Sequence, residues 1–263
     1  MKAFMLAAGI GRRLYGNQHE EPPKVLLRFE GETLLRRHIR FLREFGVGEL
    51  VMILGYKQDD ILAEAASAGA GDYVRGVYNP RFREGPILSL WTGCEVLRSG
   101  EPILFMDSDV LYSPPLLRRL IEDTSENCFL FDRRIVPEED PVSLCIRGGA
   151  PVDFGKGVEG EFDAVGEWPG FMKMSARVAA RVADAADSFV ADDRLGVAYE
   201  EAMRAVLKSE PPGTFGYVDV SDVPWIEIDL PSDLERAKHI IVRCISEEAD
   251  ERAEPLLDRA AGS

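Results

Sequence analysis

The stretch Ala3-Phe4-Met5-Leu6-Ala7-Ala8-Gly9-Ile10-Gly11-Arg12-Arg13-Leu14, followed after a polar loop by Pro22-Pro23-Lys24, decides how the chain is read. Ala3–Ala8 is a short apolar run, the pattern of a parallel strand buried on both faces. It breaks into Gly9-Ile10-Gly11, where missing side chains let backbone N–H groups come close to a ligand. Arg12, Arg13 and Lys24 add positive charge, so a strand, a glycine turn and three cations together describe a phosphate cradle. No Gly-Lys-Ser/Thr follows, which a Walker loop needs, and no third glycine completes a dinucleotide fingerprint. Taken alone, Gly-x-Gly fits a plain strand-turn equally well.

Composition narrows the classes. The 263 residues are 46% hydrophobic and 29% charged, as in a soluble globular protein with a sizeable core. No apolar run approaches the ~18 residues of a membrane span, and Ala3–Ile10 is too short, and too soon followed by Arg12-Arg13, for a signal peptide. Cys94, Cys128, Cys145 and Cys244 form no C-x-x-C pair, which points to reduced thiols and a cytoplasmic location rather than a zinc site or disulfide framework. The net charge of −15 has the wrong sign for counterion-release binding to nucleic acid. Residues 1–30 run against that acidity, with Lys2, Arg12, Arg13, Lys24 and Arg28 opposing Glu20, Glu21 and Glu30. A locally cationic loop in an acidic protein suits a small phosphorylated ligand.

Further along, helical spacing over Glu32–Phe45 alternates with strands at Leu50–Leu54 and Tyr73–Val77, and a second helix is expected over Asp59–Ala68. This alternation is that of a doubly wound, mostly parallel α/β sheet. His38 lies on the apolar face of the first of these helices, where a packed core histidine is the simpler reading than a ligand. Asn79-Pro80 and Gly85-Pro86 mark a loop, with a helix from Ile87 to about Leu97. Pro102–Met106 reads as a buried strand that delivers Asp107-Ser108-Asp109 at its carboxyl end, where open α/β sheets place ligands. Two carboxylates at i, i+2 can cap a turn, but beside a core, with no cation near in sequence, they better suit a hard divalent ion such as Mg²⁺. After Asn127, short strands (Cys128–Phe131, Val142–Ile146) between glycines suggest antiparallel hairpins added at the sheet edge as a lid. Helices over Ser175–Ser188, with Ser175 as N-cap, and Leu195–Lys208 follow, then a strand over Phe215–Val220. Alternation in Trp225-Ile226-Glu227-Ile228-Asp229 puts Trp225, Glu227 and Asp229 on one side. A last helix spans Leu234–Val242.

Three of these stretches together resemble the nucleotidylyltransferase superfamily, most closely its cytidylyltransferases for phosphocholine- and phosphonate-type substrates. They are Leu6-Ala7-Ala8-Gly9-Ile10-Gly11-Arg12-Arg13-Leu14 with Pro23-Lys24, Asp107-Ser108-Asp109, and the Trp225–Leu234 block. Arg12 stands where the family usually has Ser or Thr, and Gly85-Pro86 replaces an Asn pair. The resemblance implies a single Rossmann-like domain over residues 1–245, with a nucleotide-binding half (1–125), an acceptor half with its lid (126–245) and an acidic tail (246–263). It implies Mg²⁺ on Asp109 and Asp229, with Glu227 in reserve, and Arg13 and Lys24 as the catalytic cations. Leu6, Ala7, Ala8, Gly9, Gly11, Arg12, Arg13, Asn79, Ser89 and Asp107 would meet the nucleotide. Lys24, Glu167, Trp168, Lys173, Tyr199 and Trp225 would meet the acceptor, although Lys173 equally suits a surface salt bridge and the aromatic residues plain packing. The implied reaction is CMP transfer from CTP to a small phosphomonoester or phosphonate (phosphocholine, aminoethyl- or hydroxyalkylphosphonate, or inositol phosphate). A sugar-1-phosphate enzyme using UTP, dTTP or GTP is the rival; an idle nucleotide-binding regulator fits less well, because Arg13, Lys24, Asp109 and Asp229 are all present. The reading leaves room for a homodimer and none for nucleic-acid or membrane partners.

Overall fold

A computed structural model describes residues 1–16, 20–134 and 141–244. The acidic tail expected at 246–263 lies outside the described residues.

The apolar runs become the centre of one sheet. The strands β1 (Lys2–Ala7), β4 (Leu50–Leu54), β5 (Val74–Tyr78) and β6 (Ile103–Asp107) pair in parallel in the spatial order β6-β1-β4-β5. Between β1 and β4 lie α1 (Arg12–Tyr15), a 3-10 turn at Lys24–Leu26, the small hairpin β2 (Arg28–Phe29) and β3 (Glu32–Thr33), and α2 (Leu34–Glu44). Successive side chains of a strand point to opposite faces, and the sheet accordingly has a core on each side. Phe4, Val51, Ile53 and Phe105 face one core, covered by α4 (Ile87–Thr92), α5 (Cys94–Leu97), α7 (Ala176–Ala191) and α8 (Glu200–Ser209). Ala3, Met5, Met52 and Leu104 face the other, covered by α2, α3 (Gln58–Ser67) and α6 (Pro114–Glu122). Ser175 caps α7 as expected, its hydroxyl accepting from Val178 N at 3.3 Å.

Several elements differ from the sequence expectation. The helix expected over Ile87–Leu97 breaks at Gly93, whose φ −90° and ψ 6° leave the helical range; a Cβ there would lie 2.3 Å from the Phe4 ring, so the site admits only glycine. The helix expected from Leu195 begins at Glu200. Of the strands expected at the sheet edge, β8 (Cys128–Phe131) joins the main sheet instead. Among the described residues that sheet has seven strands in the order β13-β8-β12-β6-β1-β4-β5, where β13 is Gly216–Asp219. Its antiparallel member is β12 (Phe171–Met174), inserted between β6 and β8. The remaining antiparallel strands β9 (Ser143–Arg147), β10 (Ala150–Gly155) and β11 (Ala164–Glu167) form a separate sheet, joined to the main one by an Asp132–Glu167 bridge.

A third, smaller core carries functional weight. Leu14, Phe29, Leu34, Leu111, Ile226 and Ile228 pack together against Ala237 and Ile241 of the helical residues 231–244. They tie the loop after β1 to the antiparallel pair β7 (Val110–Tyr112) and β14 (Trp225–Glu227). No described helix is long and apolar enough to cross a membrane.

Candidate active site

Register brings the first two motifs together. Leu6 of β1 pairs with Asp107 of β6, so the glycine turn and the Asp107-Ser108-Asp109 turn leave the sheet side by side. The two glycines have different reasons. Gly11 has φ +67° and its Cβ would press on the Tyr15 ring at 2.9 Å. A Cβ on Gly9 would meet nothing within 4 Å, so its backbone faces open cleft. Leu6, Ala7, Ala8, Gly9, Gly11, Arg12, Arg13 and Lys24 all line this cleft of about 460 Å³, together with Ser89, Asp107, Asp109, Tyr199, Glu227 and Asp229.

The third motif arrives through β14. Its pairing with β7 puts Glu227 opposite Val110, and Ile228 N donates to Asp109 O at 2.9 Å. Asp229 therefore ends beside Asp109, although more than a hundred residues separate them. Asp233, buried in the following helix, accepts from Asp229 N at 2.9 Å and Leu230 N at 2.7 Å and so holds this turn. Carboxylate oxygens of Asp109, Glu227 and Asp229 all lie within 4.8 Å of one another. Lys24 Nζ donates to Asp109 Oδ2 at 2.9 Å and to Asp229 Oδ1 at 2.5 Å, and Arg13 Nη2 lies 2.8 Å from Asp229 Oδ2. The sequence places Lys24 on a polar loop; the structure leaves its side chain only 14% exposed. Burial alone would lower the Lys24 pKa, but the Asp109 and Asp229 charges outweigh it and raise it, keeping the ammonium charged. Three clustered oxygen donors bearing formal negative charge, already drawing in an ammonium, fit a hard divalent cation.

Asp107 is held differently. Tyr199 Oη donates to its carboxyl, 2.7 Å from either oxygen, and Asp107 N donates to Gly170 O at 2.9 Å. Burial, then the Asp109 charge, pushes the Asp107 pKa well above the usual carboxylate range. Glu227 is raised too. Its side chain reaches solvent at the cleft mouth, yet desolvation of the carboxyl by the surrounding walls, followed by Asp109 and Asp229, makes a proton easier to keep.

A second cleft of about 490 Å³ meets the first at Arg13, Glu200, Glu227 and Asp229. The expected acceptor residues Glu167 and Trp225 line it, and Trp225 Nε1 donates to Asp132 Oδ2 at 2.7 Å, fixing the indole.

Four of the expected contact residues are engaged within the protein itself. Trp168 is 4% exposed, its Nε1 donating to Phe171 O at 2.8 Å and its ring against Phe105 and Phe154, so it is a core residue away from both clefts. Lys173 reaches the end of α6 and donates to Asp123 O at 2.6 Å, satisfying carbonyls that a helix terminus leaves free. Tyr199 belongs to the first cleft rather than the second, as the partner of Asp107. Asn79 is 1% exposed and supports Ser89 from behind, its Nδ2 donating to Ser89 Oγ at 3.3 Å while its Oδ1 accepts from Arg81 N.

Sequence reasoning missed Arg83 on the first cleft and Arg134, Lys156 and Arg236 on the second. They sit in no motif and carried no local signal. Glu200, the neighbour of Tyr199, lies at the junction of the clefts. Burial raises its pKa, and its Oε2 has no hydrogen-bond partner among the described residues.

Strand-end loops that line a cleft on a mostly parallel sheet, with a glycine–arginine turn facing clustered carboxylates, place the protein in the nucleotidyltransferase fold. The inositol-1-phosphate CTP transferase from T. maritima has that fold with a TM-score of 0.73, at 21% identity over 92% of this chain and 95% of that one. The model of the MobA-like NTP transferase domain matches residues 3–142, and the chain belongs to that family. The chain is similar to the bifunctional IPC transferase and DIPP synthase of Rubrobacter xylanophilus, 28% identical over 91% of this chain and 52% of that protein. It is also similar to the CMP-5'-(3-aminopropyl)phosphonate synthase of Streptomyces rubellomurinus, 26% identical over 90% of this chain and 38% of that protein. The chain thus spans about half or less of the length of these curated relatives.

Proposed function

We propose that the protein transfers CMP from CTP to a small phosphomonoester or phosphonate acceptor with release of pyrophosphate. The observation that carries this reading is the meeting of two clefts at one cluster of charge. Arg13 and Asp229 line both, so two phosphorylated ligands bound from opposite sides would touch at that point. The choice of cytidine and of acceptor class rests on the relatives, whose names join CTP or CMP to an inositol phosphate or an aminoalkylphosphonate.

The chemistry needs no side-chain base. An oxygen of the ionised acceptor attacks the α-phosphorus of CTP in line; the new P–O bond forms as the bond to the β-phosphate oxygen breaks, and pyrophosphate carries away the electron pair. The obstacle is repulsion between two anions and charge building on the leaving group, so catalysis lies in positioning and electrostatics. The Gly9–Gly11 turn offers backbone N–H groups to phosphate. Arg13, 61% exposed and at the junction, can fork onto the leaving phosphates. Lys24, charged and held by two carboxylates, would sit between α-phosphate and acceptor phosphate. Asp109 and Asp229, with Glu227, would hold Mg²⁺, which when bound neutralises phosphate charge. Glu227 lies within reach of the same ion and would join as a third ligand once the cation's charge displaces the proton that its surroundings favour.

The test is pyrophosphate release with Mg²⁺, with CTP, UTP, dTTP, ATP and GTP set against phosphocholine, aminoalkyl- and hydroxyalkylphosphonates, inositol 1-phosphate and hexose 1-phosphates. Release with CTP and a small non-sugar acceptor is expected. Release confined to a hexose 1-phosphate would move the protein to the sugar branch, and silence across the panel would sink the reading.

A further inference from the structure

His38 sits on α2 behind the site and is 0% exposed. Its ring stacks on Tyr112 with centroids 5.5 Å apart, its Nδ1 is 3.3 Å from Tyr112 Oη, and its Nε2 is 3.2 Å from Ser108 O. A carbonyl can only accept, so Nε2 carries the proton and donates to Ser108 O, while Nδ1 accepts from the Tyr112 hydroxyl. Two hydrogen bonds would satisfy any core histidine; what matters is where these go. Ser108 lies between Asp107 and Asp109. Tyr112 ends β7, the strand whose ladder with β14 sets Val110 against Glu227. The neighbouring Arg37 adds a third bond from the same helix turn, Nη2 donating to Tyr112 O at 3.2 Å. On the far side Asp107 N donates to Gly170 O. The segment Ser108–Tyr112, which fixes where Asp109 stands relative to Asp229, is therefore gripped at both ends by α2.

We infer that His38 is a positioning residue for the carboxylate cluster: through the Ser108 carbonyl it sets the Asp107–Asp109 turn so that Asp109 can share a divalent cation with Asp229. This rests on the reading of Asp109, Glu227 and Asp229 as a cation site. A group that orients a ligand loop typically contributes about 10–100-fold in metal affinity when lost.

The experiment is calorimetric titration of Mn²⁺ into the full chain, without nucleotide, for the wild type and for His38→Leu, His38→Gln and Tyr112→Phe, each checked for cooperative thermal unfolding. His38→Leu keeps an apolar side chain of comparable bulk without the donor and is expected to bind Mn²⁺ about 10–100-fold more weakly. His38→Gln, whose amide can still donate to Ser108 O, is expected to recover most of the affinity. Tyr112→Phe keeps the ring stack but loses the hydroxyl that sets the tautomer, and a several-fold loss is expected. Wild-type affinity in His38→Leu, or equal loss in the Leu and Gln variants, overturns the inference. If His38→Leu does not fold, unchanged affinity in Tyr112→Phe overturns it instead. Absence of Mn²⁺ binding by the wild type overturns the cation site itself and this inference with it, a pattern distinct from a normal wild type with normal variants.

Discussion

The Lys24 ammonium meets the Asp229 carboxylate at 2.5 Å and Asp109 at 2.9 Å, so one cation joins the ends of two motifs far apart in sequence. Without it two carboxylates face each other in a partly closed cleft. Lys24→Met should lower turnover by roughly 100-fold or more, the usual scale for removing a charge that meets the transition state. It should also cost about 3 kcal/mol of stability, because largely buried carboxylates lose their partner. Urea unfolding with and without Mg²⁺ checks the second part: added cation should restore much of the loss. Arg13→Gln, at an exposed position, should lose turnover on a similar scale with a stability change near zero.

The cation site predicts a ligand-linked gain in stability. On the proposed reading, Mg²⁺ at about 100 times its Kd should raise the unfolding free energy by about 2.7 kcal/mol. Chelation should reverse it. Asp109→Asn and Asp229→Asn should each remove most of that gain, whereas Asp132→Asn, away from the cluster, should keep it. Thermal melts across a Mg²⁺ series would read all four cases.

Gly170 backs the Asp107 carboxyl. Its φ is +84° and a Cβ would fall 2.8 Å from Asp107 Oδ2. Gly170→Ala should therefore strain the backbone by about 1–2 kcal/mol and displace Asp107 from Tyr199. The expected signature is a KM for nucleotide several-fold higher with only a modest fall in Tm.

Gly85 makes the tightest of the glycine contacts, since a Cβ there would lie 1.8 Å from Leu195 O. The loop before Ile87 is thus pressed directly on the backbone that leads into α8. Gly85→Ala must separate the two, costing about 1–3 kcal/mol as overpacking does. Because Gly85 and Tyr199 line the first cleft, where the proposed reading seats CTP, weaker CTP binding by calorimetry should accompany the loss of stability.

Acid should act through His38. Burial, then the nearby Arg37 charge, pulls its pKa down to about 4, while the Ser108 hydrogen bond and Glu32 pull it upward. Unfolded, it titrates near 6.5. Between those values the unfolded chain binds more protons, so stability falls as pH drops from about 6.5 towards 4, by roughly 3 kcal/mol from this group. Urea unfolding at pH 7 and pH 4.5 should show the wild type losing more stability than His38→Gln. An equal loss in both would remove His38 as the cause.

The linear sequence determined the parts. The unbroken apolar runs of β1 and β4, the Gly9-Ile10-Gly11 turn, the strand that ends at Asp107 and the alternation of Trp225, Glu227 and Asp229 are local patterns, because each reflects how neighbouring residues face a surface. His38 as a core residue and Ser175 as a helix cap were legible for the same reason. What the sequence could not carry was which surface each face would meet. Lys173 and Trp168 follow Glu167 closely in the chain, yet insertion of β12 between β6 and β8 leaves one at a helix end and the other in the core. Arg134, Lys156 and Arg236 gather on one cleft from three distant segments with no shared spacing. The bond from Ile228 N to Asp109 O, which brings the two carboxylates to Lys24, exists only once β7 and β14 pair. Long-range pairing is set by the packing of the whole chain, so only the tertiary structure decided which of the legible residues became one site.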